Sequence, residues 1–310
     1  MQGDRADIYI RRQYTENGGM MSMYHPRTAV VTGAGSGIGR AIAVALAGKG
    51  YKVGIVDVDT DGAGETLRMV ERKGGSGETY KCDVSDFSEV QAMAEHFFDK
   101  WGEVGLLVNN AGIGGGGYVG ETSIEDWEKV VGVDFWGVVY GCHAFIPRMK
   151  TQAGGHIVNT SSTSGLVPVM GFAPYNTSKA AVVALSETLV IELAPFNIGV
   201  TVLCPSVVKT NIMKNSLEVI DAGKYESLDW GIRLIDIGME RSKISVEDVA
   251  RMVLDAVEKG RLFVVTNRPS RSNWRNYRIS PERYYRAMAY LNRKGLARRL
   301  MEWAVDKGMA

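Results

Sequence analysis

From Arg27 onward the chain alternates short apolar runs with longer stretches of helical periodicity, and this alternation narrows the possible folds more than any other feature. Strands are expected at 28–32, 52–57, 78–82, 104–109, 155–161, 198–204 and 262–266, with helices near 37–49, 60–73, 86–101, 123–150, 174–194 and 246–259. Such alternation builds a parallel sheet covered by helices on both faces. The runs Val53-Gly-Ile-Val-Asp57 and Gly199-Val-Thr-Val-Leu-Cys204 are almost continuously apolar, as strands buried on both sides require. No repeat or linker divides residues 27–267, so one α/β domain is expected there. Residues 1–26 lack sustained periodicity and read as an extension outside the fold. Between Pro205 and Ser245 the alternation breaks. The insertion, 207–245, is polar and irregular with short helical patches, and it leaves the carboxyl end of a strand, where open sheets bind ligands. It is expected to close over a substrate.

The first strand is followed by Thr32-Gly33-Ala-Gly-Ser36-Gly37-Ile38-Gly39, which opens a helical stretch. Strand, glycine turn and helix start together offer unsatisfied N–H groups to a pyrophosphate, with little side-chain bulk in the way. The spacing is Gly-x-x-x-Gly-x-Gly rather than the commoner Gly-x-Gly-x-x-Gly. Asp57 ends the second strand, 18 residues after Gly39, where its carboxylate could accept bonds from ribose hydroxyls and repel a 2′-phosphate. It could instead cap the next helix, although Asp59 fits that position better.

A second constellation lies far downstream. Tyr175 and Lys179 fall one turn apart on a helix beginning near Pro174. A nearby ammonium favours a phenolate, so Lys179 is expected to lower the pKa of Tyr175 from its ordinary value of about 10. Ser162 lies on the approach to that helix, where its hydroxyl could bond a substrate oxygen beside the phenol. The three make a proton-transfer site for an alcohol or carbonyl, although a Tyr–Lys pair at this spacing is also a common packing pair.

In order and spacing, the glycine turn, Asp83-Val84, Asn109-Asn110-Ala111-Gly112, Ser162 and Tyr175 to Lys179 resemble the short-chain dehydrogenase/reductase family. The resemblance covers roughly residues 27–267. It implies a Rossmann-type, doubly wound parallel sheet of seven strands in the order 3-2-1-4-5-6-7, and hydride transfer to or from a nicotinamide cofactor. It implies that Gly33, Ser36, Gly37, Ile38 and Gly39 bind the pyrophosphate side, and that Asp83 and Val84 hold the adenine. Asn109, Ala111 and Gly112 would contact the cofactor, or merely form a turn that fixes strand ends. Pro205, Val208 and Thr210 would hold the nicotinamide carboxamide, and Lys179 its ribose. Ser206 stands where the family usually has glycine. Helices 123–150 and 174–194 would pair with their copies in a homodimer or homotetramer.

One further departure concerns catalysis. Many relatives place an asparagine in the segment that here reads Val133-Asp134-Phe135-Trp136-Gly137, so Asp134 takes that position as a proton-relay or purely structural residue. NAD is favoured over NADP, because Asp57 would repel the extra phosphate and Ser36 stands where NADP-preferring relatives often carry a basic residue. Arg40 nevertheless lies close enough in sequence to reach a phosphate.

The formal charge of +1 gives no global reason to expect nucleic acid. Three scattered cysteines and four histidines without ligand spacing argue against a disulfide framework or a catalytic metal, and for a reducing cytosol. No apolar run approaches the roughly 18 residues of a membrane span, and no signal-peptide core precedes residue 26. Charge is uneven, however: residues 270–310 carry ten Lys or Arg against three acids. This basic extension, 268–310, has amphipathic helical patterns over 281–294 and 296–307. It could pack on the body or a partner subunit, cover the substrate mouth, or meet an anionic membrane surface.

Substrate is expected against Ile113, Tyr118, Leu166, Val169, Met170, Phe172 and Met213, an apolar set suited to a lipophilic secondary alcohol or ketone such as a hydroxysteroid. The leading expectation is an NAD-dependent dehydrogenase. The alternatives are an NADP-linked 3-oxoacyl carrier-protein reductase and a redox sensor that binds nucleotide without turnover.

Overall fold

A computed structural model describes residues 26–152, 154–210 and 226–307. The expected extension before Pro26, and Met213, lie outside the described residues. Seven strands form one sheet: β1 (Thr28–Thr32), β2 (Lys52–Asp57), β3 (Ser76–Lys81), β4 (Leu106–Asn109), β5 (Gly155–Thr160), β6 (Ile198–Cys204) and β7 (Phe263–Val265). Their order is β3-β2-β1-β4-β5-β6-β7, and every pairing is parallel. The order reverses between β1 and β4, which opens a crevice beyond their carboxyl ends.

The strand period of two divides the core. Ala29 and Val31 of β1 join Val53 and Ile55 on one face, under helix α1 (Gly37–Ala47) and its neighbour α2 (Thr60–Arg72). Val30, Val56 and Leu107 face the other side, where Met93 and Phe97 of α3 (Phe87–Trp101) cover them. Asp59 caps α2 by accepting from the Gly62 N–H at 3.0 Å, which leaves Asp57 free of that duty.

The long helix expected over 123–150 is interrupted. It runs as α4 (Ile124–Val131), a π-helical turn (Gly132–Trp136) and α5 (Gly137–Met149). By length and hydropathy this stretch could cross a membrane, yet Val138, Cys142, Phe145 and Met149 are buried against the sheet and α3. Short α6 (Thr163–Leu166) and α7 (Ala173–Leu193) follow β5. The described part of the insertion contains α8 (Glu226–Arg241), a longer element than the short patches expected there. Helix α9 (Val246–Glu258) starts with a capping box in which Ser245 and Asp248 satisfy each other's backbone N–H groups.

The basic extension forms three helices rather than two: α10 (Arg268–Ile279), α11 (Pro281–Arg293) and α12 (Leu296–Asp306). Helix α10 rests on the sheet edge, with the Trp274 and Phe263 rings 4.9 Å apart and Arg271 donating to the Val265 carbonyl at 2.9 Å.

Candidate active site

The glycine turn connects β1 to α1. Gly33 and Gly37 adopt φ of 63° and 54°, a region costly for any residue with a Cβ. Ser36 begins α1 without using its side chain as a cap, so the first helical N–H groups face the crevice unclaimed by it. A Cβ on Gly37 would stand 3.3 Å from Cβ of Thr210. The turn and the 205–210 segment therefore approach each other across the crevice, and that cradle suits a dinucleotide held at both ends.

Asp57 is fixed at the rim of this cradle. One carboxylate oxygen accepts from the Gly35 N–H at 2.7 Å and the other from the Asp59 N–H at 3.0 Å. Arg40 is engaged beside the same turn. Its guanidinium bonds Thr66 at 3.0 Å, Glu65 at 2.9 Å, and the Gly35 and Gly62 carbonyls.

Asn109, expected at the cofactor, directs its side chain into the core instead. Its amide donates to Asn159 Oδ1 at 2.9 Å, and Asn159 donates on to Ser186 at 3.1 Å. The next residue serves the turn: the Asn110 amide donates to the Thr32 carbonyl at 3.0 Å and the Gly33 carbonyl at 3.3 Å. Strand alternation sends consecutive side chains to opposite sides, and sequence spacing alone does not say which of two adjacent asparagines faces the crevice. The backbone N–H groups of Asn110 and Ala111 both bond Thr32 Oγ1, which ties β4 to β1.

Asp83 is exposed and accepts from the backbone and hydroxyl of Ser85, whereas Val84 packs beneath Gly137. Pro205 is buried and its carbonyl accepts from Thr163, Val208 lies in the core, and Ser206 donates its N–H to Thr266 at 2.9 Å. Among the described residues Asn197 is the only non-glycine with positive φ, so serine at 206 imposes no backbone strain.

The Ser162, Tyr175 and Lys179 side chains converge at the carboxyl ends of β4 and β5. Ser162 caps α6, accepting from the Ser164 N–H at 3.1 Å, and its hydroxyl lies close enough to Tyr175 to draw the phenol pKa downward. Lys179 is buried one turn along α7, its Nζ 5.5 Å from the Tyr175 ring centre. Asp134 lies 3.4 Å from that ammonium and is 0% exposed. Its other oxygen accepts from the Ile113 N–H at 2.8 Å. The π-helical turn places Asp134 at this depth, and such turns often mark functional positions.

Electrostatics here reverse the expectation for Tyr175. Burial pushes its phenol above the ordinary value, the Asp134 carboxylate pushes it further, and the Ser162 hydrogen bond opposes them. Burial raises Asp134 too, against the pull of Lys179 and the Ile113 N–H. The ammonium expected to favour the phenolate is instead matched by a carboxylate. A phenol in this setting stays protonated at neutral pH and holds its proton more tightly than a free tyrosine.

Two loops frame the open side. Gly117 donates to the Gly171 carbonyl at 2.7 Å, joining the segment after β4 to the one before α7. Asn176 holds Val169 through both amide groups, a brace that sequence reading missed. Ile113, Leu166 and Phe172 are buried here, while Met170 packs with Trp230 and Leu234 of α8 and Met301 and Val305 of α12.

Sheet order and crevice define a Rossmann-type nucleotide-binding oxidoreductase fold. Residues 27–220 match the short chain dehydrogenase family, and the chain belongs to that family. It is 35% identical over 271 residues to SadH of Mycobacterium tuberculosis, named as an oxidoreductase, covering 87% of this chain and 96% of that one. A short-chain dehydrogenase/reductase from Burkholderia phymatum, solved in complex with NAD, superposes with a TM-score of 0.78 at 34% identity, over 85% of this chain and 96% of that one. A short-chain dehydrogenase from Sphingobium yanoikuyae in complex with NADPH gives 0.67 at 25% identity, over 83% and 94%. The protein is thus an oxidoreductase of this family with a nucleotide-binding fold.

Proposed function

We propose that this oxidoreductase transfers hydride between NAD(H) and a lipophilic secondary alcohol or ketone, with Tyr175 as the acid or base. The observation that carries this reading is the meeting of Ser162, Tyr175 and Lys179 at the strand ends beside the glycine cradle. When bound, the nicotinamide supplies the hydride chemistry. Tyr175 gives a proton to the carbonyl oxygen in reduction and takes it from the alcohol in oxidation. Ser162 bonds the same oxygen and orients it. Lys179, paired with Asp134, would bond the nicotinamide ribose. Asp134 holds the ammonium and, through the Ile113 N–H, the start of the substrate loop.

Two observations favour NAD. Asp57 places a negative charge beside the glycine turn, and Nε and Nη2 of Arg40 are already engaged by Thr66, Glu65 and two carbonyls. A 2′-phosphate would meet that repulsion, and Arg40, already paired with Glu65, would offset it less than an unpaired guanidinium. The buried Ile113, Leu166 and Phe172 favour an apolar substrate. Exposed Trp136 and Ile191 support pairing of the α4–α5 and α7 helices between subunits.

Fluorescence titration with NADH and NADPH tests the cofactor, and turnover of lipophilic alcohols by wild type and Tyr175→Phe tests the chemistry. NADH preference that disappears in Asp57→Ala, with turnover lost in Tyr175→Phe, is expected. An NADPH preference overturns the cofactor reading, and full activity in the tyrosine variant overturns the mechanism.

A further inference from the structure

Helix α12 is apolar on two opposite faces. Ala297, Met301 and Val305 point inward, with Ala297 2% and Val305 4% exposed, and Met301 and Val305 pack with Trp230 and Leu234. The helix is anchored there by the Trp230 indole N–H donating to Glu302 at 2.9 Å and by the Arg241–Asp306 ion pair at 2.6 Å. Leu296, Leu300 and Trp303 recur at i, i+4 and i+7 on the opposite side, where they are 44%, 46% and 54% exposed. The inner face is sufficient to dock the helix, and the outer face buries nothing in the described structure.

We infer that the outer face of α12 docks on an anionic lipid bilayer. Arg299 and Lys307 flank the apolar stripe, and residues 268–307 carry eleven Lys or Arg against three Asp or Glu. A tryptophan beside leucines and basic groups matches the boundary between headgroups and acyl chains: the ring and leucines leave water while the cations stay at the phosphates. Charge decides against a second copy as the occupant. A two-fold axis through this face would set the basic stripe against itself, whereas an anionic surface attracts each cation. The inner face borders the Met170 loop, so docking would hold the substrate side of the protein near the bilayer.

The test is sedimentation of the full-length protein with vesicles of phosphatidylcholine alone and of equimolar phosphatidylcholine and phosphatidylglycerol. Partitioning at least about tenfold stronger onto the anionic vesicles is expected, weakening as salt rises. Leu296→Ser/Leu300→Ser/Trp303→Ser should lose it at least about tenfold while NADH binding is unchanged, and Arg299→Glu/Lys307→Glu should lose it too. Equal binding to both vesicles, or full binding by the triple serine variant, overturns the inference. So does failure to bind vesicles accompanied by a dimer that the triple variant dissociates, because the face then belongs to a second copy. NADH titration is independent of all these outcomes, so the cofactor reading stands or falls separately.

Discussion

Asp134 and Lys179 form a buried ion pair at 3.4 Å, and the carboxylate that matches the ammonium also raises the phenol of Tyr175. Asp134→Asn keeps an oxygen for the Ile113 N–H but removes the charge. The phenolate then forms at lower pH, so the acid limb of kcat/KM for alcohol oxidation should move down by roughly one unit or more. A pH profile of the variant with unchanged limb position would leave Asp134 only a packing role.

In the wild type the raised phenol gives the two directions different pH responses. Below its pKa the phenolate fraction falls about tenfold per pH unit, so oxidation should climb steadily from neutral into alkaline solution. Reduction uses the protonated phenol and should stay flat over the same range. Measuring both directions across that range checks the sign. A reduction rate that falls between neutral and mildly alkaline pH would contradict it.

Tyr175→Phe removes the proton donor and keeps the ring that packs beside Lys179. Its kcat should fall by at least about 10², with NADH affinity close to that of wild type. Steady-state kinetics and fluorescence titration on one preparation separate the two effects.

The adjacent asparagines should behave differently. Asn109→Ala leaves Asn159 Oδ1 with only the weak Cys142 thiol as donor and should cost about 1–3 kcal/mol in unfolding free energy, with little change in nucleotide affinity. Asn110→Ala frees the Gly33 carbonyl and should weaken NADH binding more than it lowers stability. Denaturant melts and titrations of both variants settle the assignment, and matching behaviour would refute it.

Gly37→Ala places a Cβ at φ 54° and 3.3 Å from Thr210. The left-handed backbone alone costs roughly 1–2 kcal/mol, and the closed cradle should reduce affinity for either nucleotide. Calorimetric titration against wild type gives the size of that loss.

Much of this was legible in the sequence. Patterns such as Val53-Gly-Ile-Val-Asp57 announced buried parallel strands, and most expected strand ends fall within two residues of those observed. Local features carried the site as well, since turn, phenol and lysine are set by short-range spacing. What escaped depended on distant partners. The apolar side of α8, with Trp230 and Leu234, acquires meaning only against Val305 and Met301. Helix α10 is so polar that no apolar stripe marked it, and its Asn267 cap, accepting from the Ser270 N–H, emerged only in the structure. The direction of the Tyr175 shift required knowing that the phenol is buried and that Asp134, far away in sequence, pairs with Lys179 beside it. No periodicity reveals an extra residue in a π turn.

The arrangement of α12 also sets an order of assembly. The glycine turn, Asp57 and Asn110 can come together when the first four strands have left the ribosome. The wall beside Met170 waits for residues 296–306, because Met301 and Val305 complete it and Arg298 donates to the Tyr118 hydroxyl at 3.3 Å. A nascent chain would therefore form the glycine-turn end of the cradle before the wall beside Met170, and bulky tags fused close behind Lys307 would fall on the part of the fold that finishes last.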